Sequence, residues 1–514
     1  MSWRVAAFLF LPGVLGAQAS VPPARAVTAI TAEDIRHRIQ VLADDSMRGR
    51  DTPSPELDEV ASWIGSEFRR FGLKPGAPDG SYLQYYEIVR SELDTAQTSL
   101  AVTRGGASPV LLTAGSDMDV LPFGPPPLRD VTGPVILLIG QTDSSADPLA
   151  ATDVRGAWIA MLATSSPNGN VAVDLNTAQA AIAAGAVGLL VVSDRSDEQW
   201  RGRIRNRRPF VSVGDTTGAA AEPALVEIRD ASAIRTLGLD IAALRAQHRR
   251  RSLRLEAVTL TFHAQRRVLS KARAPNVIGI VEGSDPALKR EFVFFTAHMD
   301  HVGVASARNP ACRARGGDTI CNGADDDASG SAAVMAIAQA FARLSPPPRR
   351  STVFMTVSGE EKGLWGSDYF TTHPTMPLTA VAADLNIDMV GRNWKDTIAV
   401  IGKEQSDLGT TLDRIAAAHP ELQMKPIGDI WPMENFYYRS DHFNFARRGV
   451  PILFFFNGTH ADYHQVSDEP SKIDAEKESR IARLIFYLGV EIANAHSRPR
   501  WDPEAYKRVV GGSN

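Results

Sequence analysis

Acidic and histidine side chains follow several apolar runs of this 514-residue chain, at the points where those runs end. They lie in the segments AHMDHVG, GEEKGLWGS, NIDMVGR and YHQVSDEP, and they are His298, Asp300, Glu360, Glu361, Asp388, Tyr463 and His464. Three further carboxylates, Asp325–Asp327, precede the apolar segment SAAVMAIAQAFARL. Imidazoles and carboxylates without thiolates suit zinc or another borderline divalent ion, whereas an all-oxygen calcium site would not need the histidines. The residue types therefore predict a site for such a metal.

The set contains more ligands than one tetrahedral zinc needs. Two ions that share one bridging carboxylate would use them economically. Simpler explanations exist for each residue: histidines after strands are often packed, paired glutamates suit a helix start, and Asp388 could cap a turn. Within the aspartate run, Asp327 or Ser329 could cap the next helix, and Asp325 could be solvated. The coincidence of all these residues at strand ends favours the metal site.

The segments that position these residues alternate between strands and helices from about residue 269. The strand-like runs are NVIGIVEG, EFVFFTA, STVFMTVS, AADLNI, DTIAVIG and VPILFFF, and the helical ones include SAAVMAIAQAFARL and AEKESRIARLIFYLGVEIANAH. This alternation predicts an α/β fold with a mixed, mostly parallel sheet covered by helices. Functional groups collect at the carboxyl ends of the strands in such sheets, so these acids and histidines should meet at one edge.

Changes of pattern along the chain predict its domains. Residues 20–95 show helical periodicity, with Thr31 as the expected cap of the first helix, and should form an N-terminal segment packed on the site-bearing domain. Residues 96–268 are rich in short strands and predict a compact β-rich domain. The site-bearing domain is expected over residues 269–498, followed by a C-terminal tail over 499–514.

The first 19 residues predict a cleaved signal peptide. Arg4 precedes an apolar run, which closes on the small-residue pattern Ala17-Gln18-Ala19. A buried N-terminal helix is the alternative. The signal peptide implies export to the periplasm or the cell exterior. No later apolar run is long enough to span a bilayer, and the net charge of −4 does not indicate a nucleic-acid partner.

The chain has two cysteines, Cys312 and Cys321, in the loop NPACRARGGDTICNG. In an oxidising compartment, two cysteines this close in sequence favour a disulfide. Metal binding is the alternative, although two isolated thiols make a poor zinc site. A disulfide here would stiffen the loop that leads into the aspartate run.

The motifs, taken in order, resemble a known family. AHMDHVG, NGADDDASG, SGEEKGLWGS, NIDMVGR and YHQVSD are similar to motifs of the secreted di-zinc exopeptidases of metallopeptidase family 28, aminopeptidase type. LADDSMRGRDTPSPELDEVASWIGSEFRRFGLKP resembles the N-terminal segment of these enzymes, and DVTGPVILLIG through AAGAVGLLVVSD resembles an inserted protease-associated domain. The resemblance covers most of the mature chain and implies a fold of the zinc-exopeptidase type with two zinc ions.

The resemblance also implies metal ligands at the matched positions. One zinc would be held by His298 and Asp388, and the other by Glu361 and His464. Asp326, three residues before the Ser of the Ser-Gly pair, would bridge the two ions.

The remaining matched positions imply the chemistry. Asp300 would hydrogen-bond the ligand imidazole of His298 and fix its tautomer. Glu360 would act as general base, and Tyr463 would bind the oxyanion. The implied activity is hydrolysis of N-terminal peptide bonds in peptide substrates by a metal-activated water.

Another reaction on the same site is the alternative. A carboxypeptidase, a dipeptidase or a glutaminyl-cyclase-like enzyme would use the same metal ligands. A carboxypeptidase would also need a cationic group for the substrate carboxylate, and Arg392 and Arg439 lie close in sequence to the site motifs.

Overall fold

The computed structural model describes residues 20–140, 149, 152–214, 223–247, 251–307 and 309–511. The predicted signal peptide, residues 1–19, lies outside the described residues. The chain forms two compact units, one made of the residues up to Tyr85 together with those from Ala274 onward, and one made of Tyr86–Arg273. The β-rich segment predicted for residues 96–268 lies within the second unit, whose limits extend further at both ends.

The described residues contain strands β1 to β19 in chain order. They are β1 (Lys74–Pro75), β2 (Leu83–Leu93), β3 (Ser99–Arg104), β4 (Val110–Thr113), β5 (Met118–Val120), β6 (Val131–Ile139), β7 (Trp158–Ser165), β8 (Val171–Ala172), β9 (Gly188–Ser193), β10 (Phe210–Val213), β11 (Ala224–Arg229), β12 (Arg251–His263), β13 (Arg266–Val281), β14 (Phe292–His298), β15 (Ser351–Val357), β16 (Val381–Ile387), β17 (Thr397–Ile401), β18 (Lys425–Ile427) and β19 (Ile452–Phe455).

The same part of the chain contains helices α1 to α13. They are α1 (Pro23–Ala26), α2 (Ala32–Leu42), α3 (Pro55–Phe71), α4 (Leu175–Ala183), α5 (Asp197–Arg205), α6 (Asp230–Leu237), α7 (Ile241–Arg245), α8 (Gly330–Ala342), α9 (Trp365–Thr372), α10 (Leu408–Ala418), α11 (His442–Ala446), α12 (Ala475–Asn494) and α13 (Pro503–Val509).

The sheet of the first unit has the order β13-β15-β14-β16-β19-β17-β18, with β1 paired to β13. Its four central strands, β15, β14, β16 and β19, are parallel neighbours. The pairs β13/β15 and β17/β19 are antiparallel, and β17 pairs in parallel with β18. The predicted α/β fold with a mixed, mostly parallel sheet is therefore confirmed.

Helices of the first unit pack on this sheet. α8 and α12 contact β14, and α11 contacts β16 and β19. The sequence of α8 is apolar almost all round, and nearly every residue of the helix is buried. A helix with this composition belongs in the interior, and α8 accordingly contacts the sheet strands β14, β15 and β16 as well as the helices α2, α3 and α12.

Side-chain caps and a glycine bound the two main N-terminal helices. The Thr31 side chain accepts a hydrogen bond from the Asp34 N–H (3.1 Å) and caps α2 as predicted. The Ser54 side chain caps α3 by accepting from the Leu57 N–H (3.1 Å). α3 ends at Phe71, and Gly72 caps it with a φ of 87°, in the left-handed region.

The second unit is a β-rich domain with four described helices, α4 to α7. Its sheet has the order β4-β3-β12-β6-β7-β9-β11-β5, in which β6, β7, β9 and β11 run parallel. Buried ion pairs support this unit: Arg195 contacts Glu227 (2.6 Å), and Arg203 and Arg207 contact Asp119 (3.0 and 2.6 Å).

The cysteine loop and the C-terminal segment of the first unit were both described from the sequence. Cys312 and Cys321 form the predicted disulfide, with Cα atoms 5.9 Å apart. The predicted C-terminal tail contains helix α13, in which Val509 is buried, and the Trp501 indole N–H donates to the Gly449 carbonyl (3.0 Å). The described part of this tail is thus packed. Across the described ranges, no helix combines the length and apolarity that a membrane crossing requires.

Candidate metal centre

The parallel strands of the first unit deliver the acids and histidines to one edge of the sheet. β14 ends at His298, and β15 and β16 are both paired to it in parallel. The carboxyl ends of the three strands therefore lie at the same edge of the sheet. Glu360 and Glu361 follow the end of β15, and Asp388 follows the end of β16. The predicted convergence of these segments is what the structure shows.

One group of potential ligands consists of His298, Asp326 and Asp388, all buried, with donor atoms within 4.8 Å of one another. The His298 Nε2 atom lies 3.2 Å from Asp326 Oδ1 and 3.6 Å from Asp388 Oδ1. The other Asp388 oxygen accepts a hydrogen bond from the Ser440 hydroxyl (2.9 Å). These residues are the ones predicted for one zinc and the bridge, and we call them the first donor group.

A second donor group consists of His301, Asp326 and Glu361, again with donor atoms within 4.8 Å. His301 Nδ1 lies 2.8 Å from Glu361 Oε1 and 3.8 Å from Asp326 Oδ2. The predicted ligand His464 is adjacent, because its Nε2 atom lies 3.1 Å from both Asp326 Oδ2 and Glu361 Oε2. The structure thus brings together all five predicted ligands and adds His301.

Several buried atoms of these groups have no hydrogen-bond partner within the described residues. They are His301 Nδ1, Glu361 Oε1, Asp388 Oδ1 and His464 Nε2. Buried polar atoms are normally paired, so atoms left without partners that lie close to one another need another explanation. Imidazole and carboxylate donors that converge in this way match the ligand chemistry of zinc, and the residues therefore fit this metal.

Asp326 is the only residue that belongs to both donor groups. Its Oδ1 atom faces His298, and its Oδ2 atom faces His464 and, at longer distance, His301. The Asp326 N–H donates to the Asp468 carboxylate (3.1 Å), which holds the turn. This placement is the one that a bridging carboxylate requires.

The two neighbouring aspartates have separate partners. Asp327 Oδ1 accepts from the Gly330 N–H (2.8 Å), at the start of α8, as predicted for a residue that supports the helix start. The prediction that Asp325 is solvated is wrong. Asp325 is fully buried. Its carboxylate accepts a hydrogen bond from the Gly391 N–H (2.6 Å) and contacts His460 Nε2 (3.1 Å).

Asp300 lies beside His298 and also accepts hydrogen bonds from two other residues. The His298 Nδ1 atom lies 3.2 Å from the Asp300 backbone carbonyl and 3.6 Å from its carboxylate, so the carbonyl is the closer acceptor. The carboxylate instead accepts the Thr52 hydroxyl (2.8 Å) and the Glu360 N–H (3.3 Å). Asp300 thereby connects the first donor group to the adjacent glutamate.

The two adjacent glutamates have opposite pKa shifts. Burial raises the pKa of Glu360 well above its usual range despite the opposing effect of His298, and the nearby carboxylates of Glu361, Asp441 and Asp388 raise it further. Burial and Asp326 also disfavour ionised Glu361, but His301 and His464 outweigh them and lower its pKa to about 2. Two carboxyl groups whose pKa values are driven apart in this way can serve as one proton-transfer group and one anionic group.

Tyr463 lies against the second donor group. Its ring stacks on the His464 ring, with centroids 4.0 Å apart. Burial, together with the carboxylates Asp326 and Glu361, raises the pKa of the Tyr463 phenol. The hydroxyl therefore remains protonated at neutral pH and can donate a hydrogen bond.

Three residues of the centre were missed in the sequence analysis. His301 and Asp468 stand inside motifs that were already singled out, AHMDHVG and YHQVSD. Arg50 is fully buried and donates to the carbonyls of Met299 (2.7 Å) and Gly323 (2.6 Å) on either side of the centre. The signal for the first two was their residue type within a motif. Arg50 lies within the N-terminal segment LADDSMRGRDTPSPELDEVASWIGSEFRRFGLKP, but nothing in its spacing relates it to the centre.

A family comparison agrees with this geometry. The model of peptidase family M28 matches residues 276–489, which include every residue of both donor groups. Residues 276–489 are a peptidase family M28 domain. The M28 domain lies within the first unit and carries β14, β15, β16 and the loops that end at the centre.

Curated relatives share part of the chain. It is 30% identical to a probable zinc metalloprotease of Pyrenophora tritici-repentis, over 35% of this chain and 45% of that protein. It is 27% identical to leupeptin-inactivating enzyme 1 of Streptomyces exfoliatus, over 43% of each. The chain therefore spans less than half the length of these relatives.

Similar solved structures include two aminopeptidases. The aminopeptidase from Aneurinibacillus sp. strain AM-1 has a TM-score of 0.47 and 19% identity, and the match covers 94% of this chain and 98% of that one. BSAP, a zinc aminopeptidase from Bacillus subtilis, has a TM-score of 0.46 and 16% identity, with 94% and 99% covered.

Proposed function

We propose that this protein is a zinc-dependent exopeptidase, specifically an aminopeptidase with two zinc ions. One observation carries the proposal: Asp326 belongs to both donor groups, so a single carboxylate faces two potential metal positions. His298, Asp326 and Asp388 would hold one ion, and Glu361 and His464 would hold the other with Asp326. Zinc at such a centre lowers the pKa of a coordinated water towards ~7 and so provides a nucleophile at neutral pH.

Glu360 is the general base in this proposal. Its backbone N–H donates to Asp300 (3.3 Å), which itself accepts the Thr52 hydroxyl, so the residue is held at the edge of the centre. A carboxyl group with a raised pKa can take a proton from the attacking water and return it to the leaving amine. Glu361, with its lowered pKa, remains an anionic ligand throughout.

Tyr463 supplies a hydrogen-bond donor in the same proposal. Its phenol stays protonated because burial and the surrounding carboxylates raise its pKa. A neutral donor at the edge of a buried, anionic centre can stabilise the oxyanion that develops on the substrate carbonyl.

The arginines support an aminopeptidase over a carboxypeptidase. Arg392, one candidate for a substrate carboxylate, already donates to Asp462 (3.0 Å). Arg439, the other, lies over the Phe436 ring (4.7 Å from its centroid) and 3.8 Å from Glu434. Acids near the metals would instead hold the free α-amine of a peptide, which sets exopeptidase behaviour.

The proposal also includes export and an inserted domain. The N-terminal pattern of residues 1–19 and the disulfide Cys312–Cys321 support a protein that acts in the periplasm or outside the cell. The β-rich unit Tyr86–Arg273, with its resemblance to a protease-associated domain, would gate substrates or recruit partners.

Replacement of Glu360 tests the catalytic role. We expect Glu360→Gln to lower turnover of an aminoacyl anilide by roughly 10²–10⁴-fold while bound zinc per chain is unchanged, because the amide cannot accept the proton. Glu476→Gln, an exposed change at the start of α12, is the matched control and should leave both values unaltered. Full activity in Glu360→Gln would show that the proposed base is wrong.

Blocked peptides separate the aminopeptidase from the alternatives. A free N-terminus should be required and a blocked C-terminus tolerated, which is measured by release of the terminal amino acid from matched N-acetylated and C-amidated peptides. Preference for N-acetylated substrates would contradict the aminopeptidase and favour a carboxypeptidase.

A further inference from the structure

His301 is buried at the centre without a role in the proposed function. It follows Asp300 directly, beyond the end of β14, and its side chain is fully inaccessible to solvent. Neither of its ring nitrogens has a hydrogen-bond partner among the described residues. A buried imidazole with both nitrogens unsatisfied is costly unless something else binds it.

The His301 ring lies in a space made for it. Gly323 has a φ of 59°, and a Cβ atom at this position would lie 2.4 Å from His301 Cγ. The His301 N–H donates to the Arg50 carbonyl (3.4 Å), which ties its backbone to the N-terminal segment. The ring is therefore held against Glu361 and Asp326 by packing.

The contact between His301 and Glu361 has the distance of a hydrogen bond but not its direction. Nδ1 lies 2.8 Å from Glu361 Oε1, yet both atoms lack a hydrogen bond, so the oxygen lies off the axis of the ring N–H. A metal ion, unlike a proton, can lie on that axis and be close to both atoms. Ligand atoms of a four-coordinate zinc lie about 3.3 Å apart, between the 2.8 and 3.8 Å that separate Nδ1 from Glu361 and Asp326.

We propose that His301 is a direct ligand of the second metal, together with Asp326, Glu361 and His464. The inference rests on the proposed two-metal function and extends its ligand set. The two positions then differ: the first has three protein ligands and keeps an open place, whereas the second has four and is closed. Three ligands with an open place are typical of catalytic zinc, and four of structural zinc. The second position should accordingly fill first.

A positioning role for His301 would predict a different result. An imidazole that only orients Glu361 would also lower metal affinity when it is replaced, by about 10–100-fold. Loss of metal affinity alone therefore does not identify a ligand. A spectroscopic signal from the metal-bound imidazole does identify one.

Cobalt substitution tests the proposal. In the Co²⁺-loaded full-length protein, each coordinated imidazole gives a strongly hyperfine-shifted ring N–H signal in proton NMR. We expect one such signal from each of His298, His301 and His464 in the wild type, and loss of one signal in His301→Gln. His460→Gln, which changes a buried histidine that contacts Asp325, is the control and should keep every signal.

The outcomes separate this inference from the proposed function. A wild-type spectrum with only two shifted imidazoles, at two Co²⁺ per chain, would overturn His301 as a ligand and leave the two-metal centre intact. A protein that binds no Co²⁺ or Zn²⁺ would overturn the proposed function itself. Since the wild-type count decides the question, the test does not depend on whether His301→Gln folds.

Metal titration adds a second readout. Under competition with a chelator, His301→Gln should lose affinity for the more tightly bound ion by tenfold or more, while the weaker ion is less affected. Loss confined to the weaker ion would contradict the assignment of His301 to the closed position.

Discussion

At the scale of single residues, adjacent carboxylates of this chain do different work because different partners reach them. Asp326 faces imidazoles on both sides, Asp327 holds the start of α8, and Asp325 is buried against Gly391 and His460. Like charges in sequence repel, and each is stabilised only by the donors around it. The chemistry of the run therefore depends on contacts to remote segments.

Replacement of Asp326 and of Asp325 should have distinct effects. Asp326→Asn removes the shared ligand, so we expect loss of bound metal and of activity. Asp325→Asn should keep its metal but unfold more easily, by about 1–3 kcal/mol, because the buried contacts to Gly391 and His460 are impaired. Elemental analysis measures the metal content of each variant, and calorimetry measures its stability. Equal metal loss in the two variants would contradict the assignment of Asp326 as the bridge.

At the scale of elements, loops that follow parallel strands carry the centre, and the surrounding structure holds those loops in place. The end of β14 supplies His298, and the turn before α8 supplies Asp326. Arg50, from the turn before α3, donates to carbonyls on both segments, so it stabilises them as a pair. The disulfide closes the loop between β14 and α8, directly before Asn322, and restricts the same turn from the other side.

Removal of the disulfide should loosen that loop. We expect Cys312→Ser combined with Cys321→Ser to lower the free energy of unfolding by about 2–3 kcal/mol, the amount expected for a closed loop of this size. The reduced wild type is the control and should match the double variant in a thermal melt, while the variant itself should not respond to reductant. A melt of the wild type that is unaffected by reductant would show that the loop does not contribute to stability.

At the scale of the whole molecule, the second unit is one continuous segment of the chain, and the first unit consists of the segments that precede and follow it in sequence. The two connections, near residues 85 and 274, lie close together, because the Ile278 N–H donates to the Tyr82 carbonyl (2.8 Å) in the first unit. The M28 domain and both donor groups belong to the first unit alone. The second unit thus contributes none of the residues that are proposed for catalysis.

Excision of the second unit should preserve the centre. We expect a protein in which a short Gly/Ser linker replaces Tyr86–Arg273 to fold, bind zinc and hydrolyse a small anilide. Its rates on small and large peptides, relative to the full-length protein, measure the contribution of the second unit to substrate selection. An aggregated or zinc-free product would contradict the independence of the first unit.

Much of the fold and of the centre could be predicted from the sequence because local patterns carry that information. Apolar runs alternating with helical periodicity predicted the strands of the first unit, and the parallel pairing of β14, β15 and β16 followed from this alternation. The cap at Thr31 and the disulfide also depend on residues that are close in sequence. In each case the decisive interaction lies within a few residues or a repeated pattern.

Three features were decided by the tertiary structure alone. Side chains alternate in extended segments, so His301 should point away from Asp300, and only the turn after β14 brings it to Glu361. Asp325 is buried because Gly391 and His460 reach it from distant segments. Arg50 binds carbonyls that are more than two hundred residues away. The sequence by itself thus determined which strand ends carry the acids and histidines, because that depends on local pattern. The tertiary contacts decided which of their atoms face one another, because that depends on segments that sequence spacing does not relate.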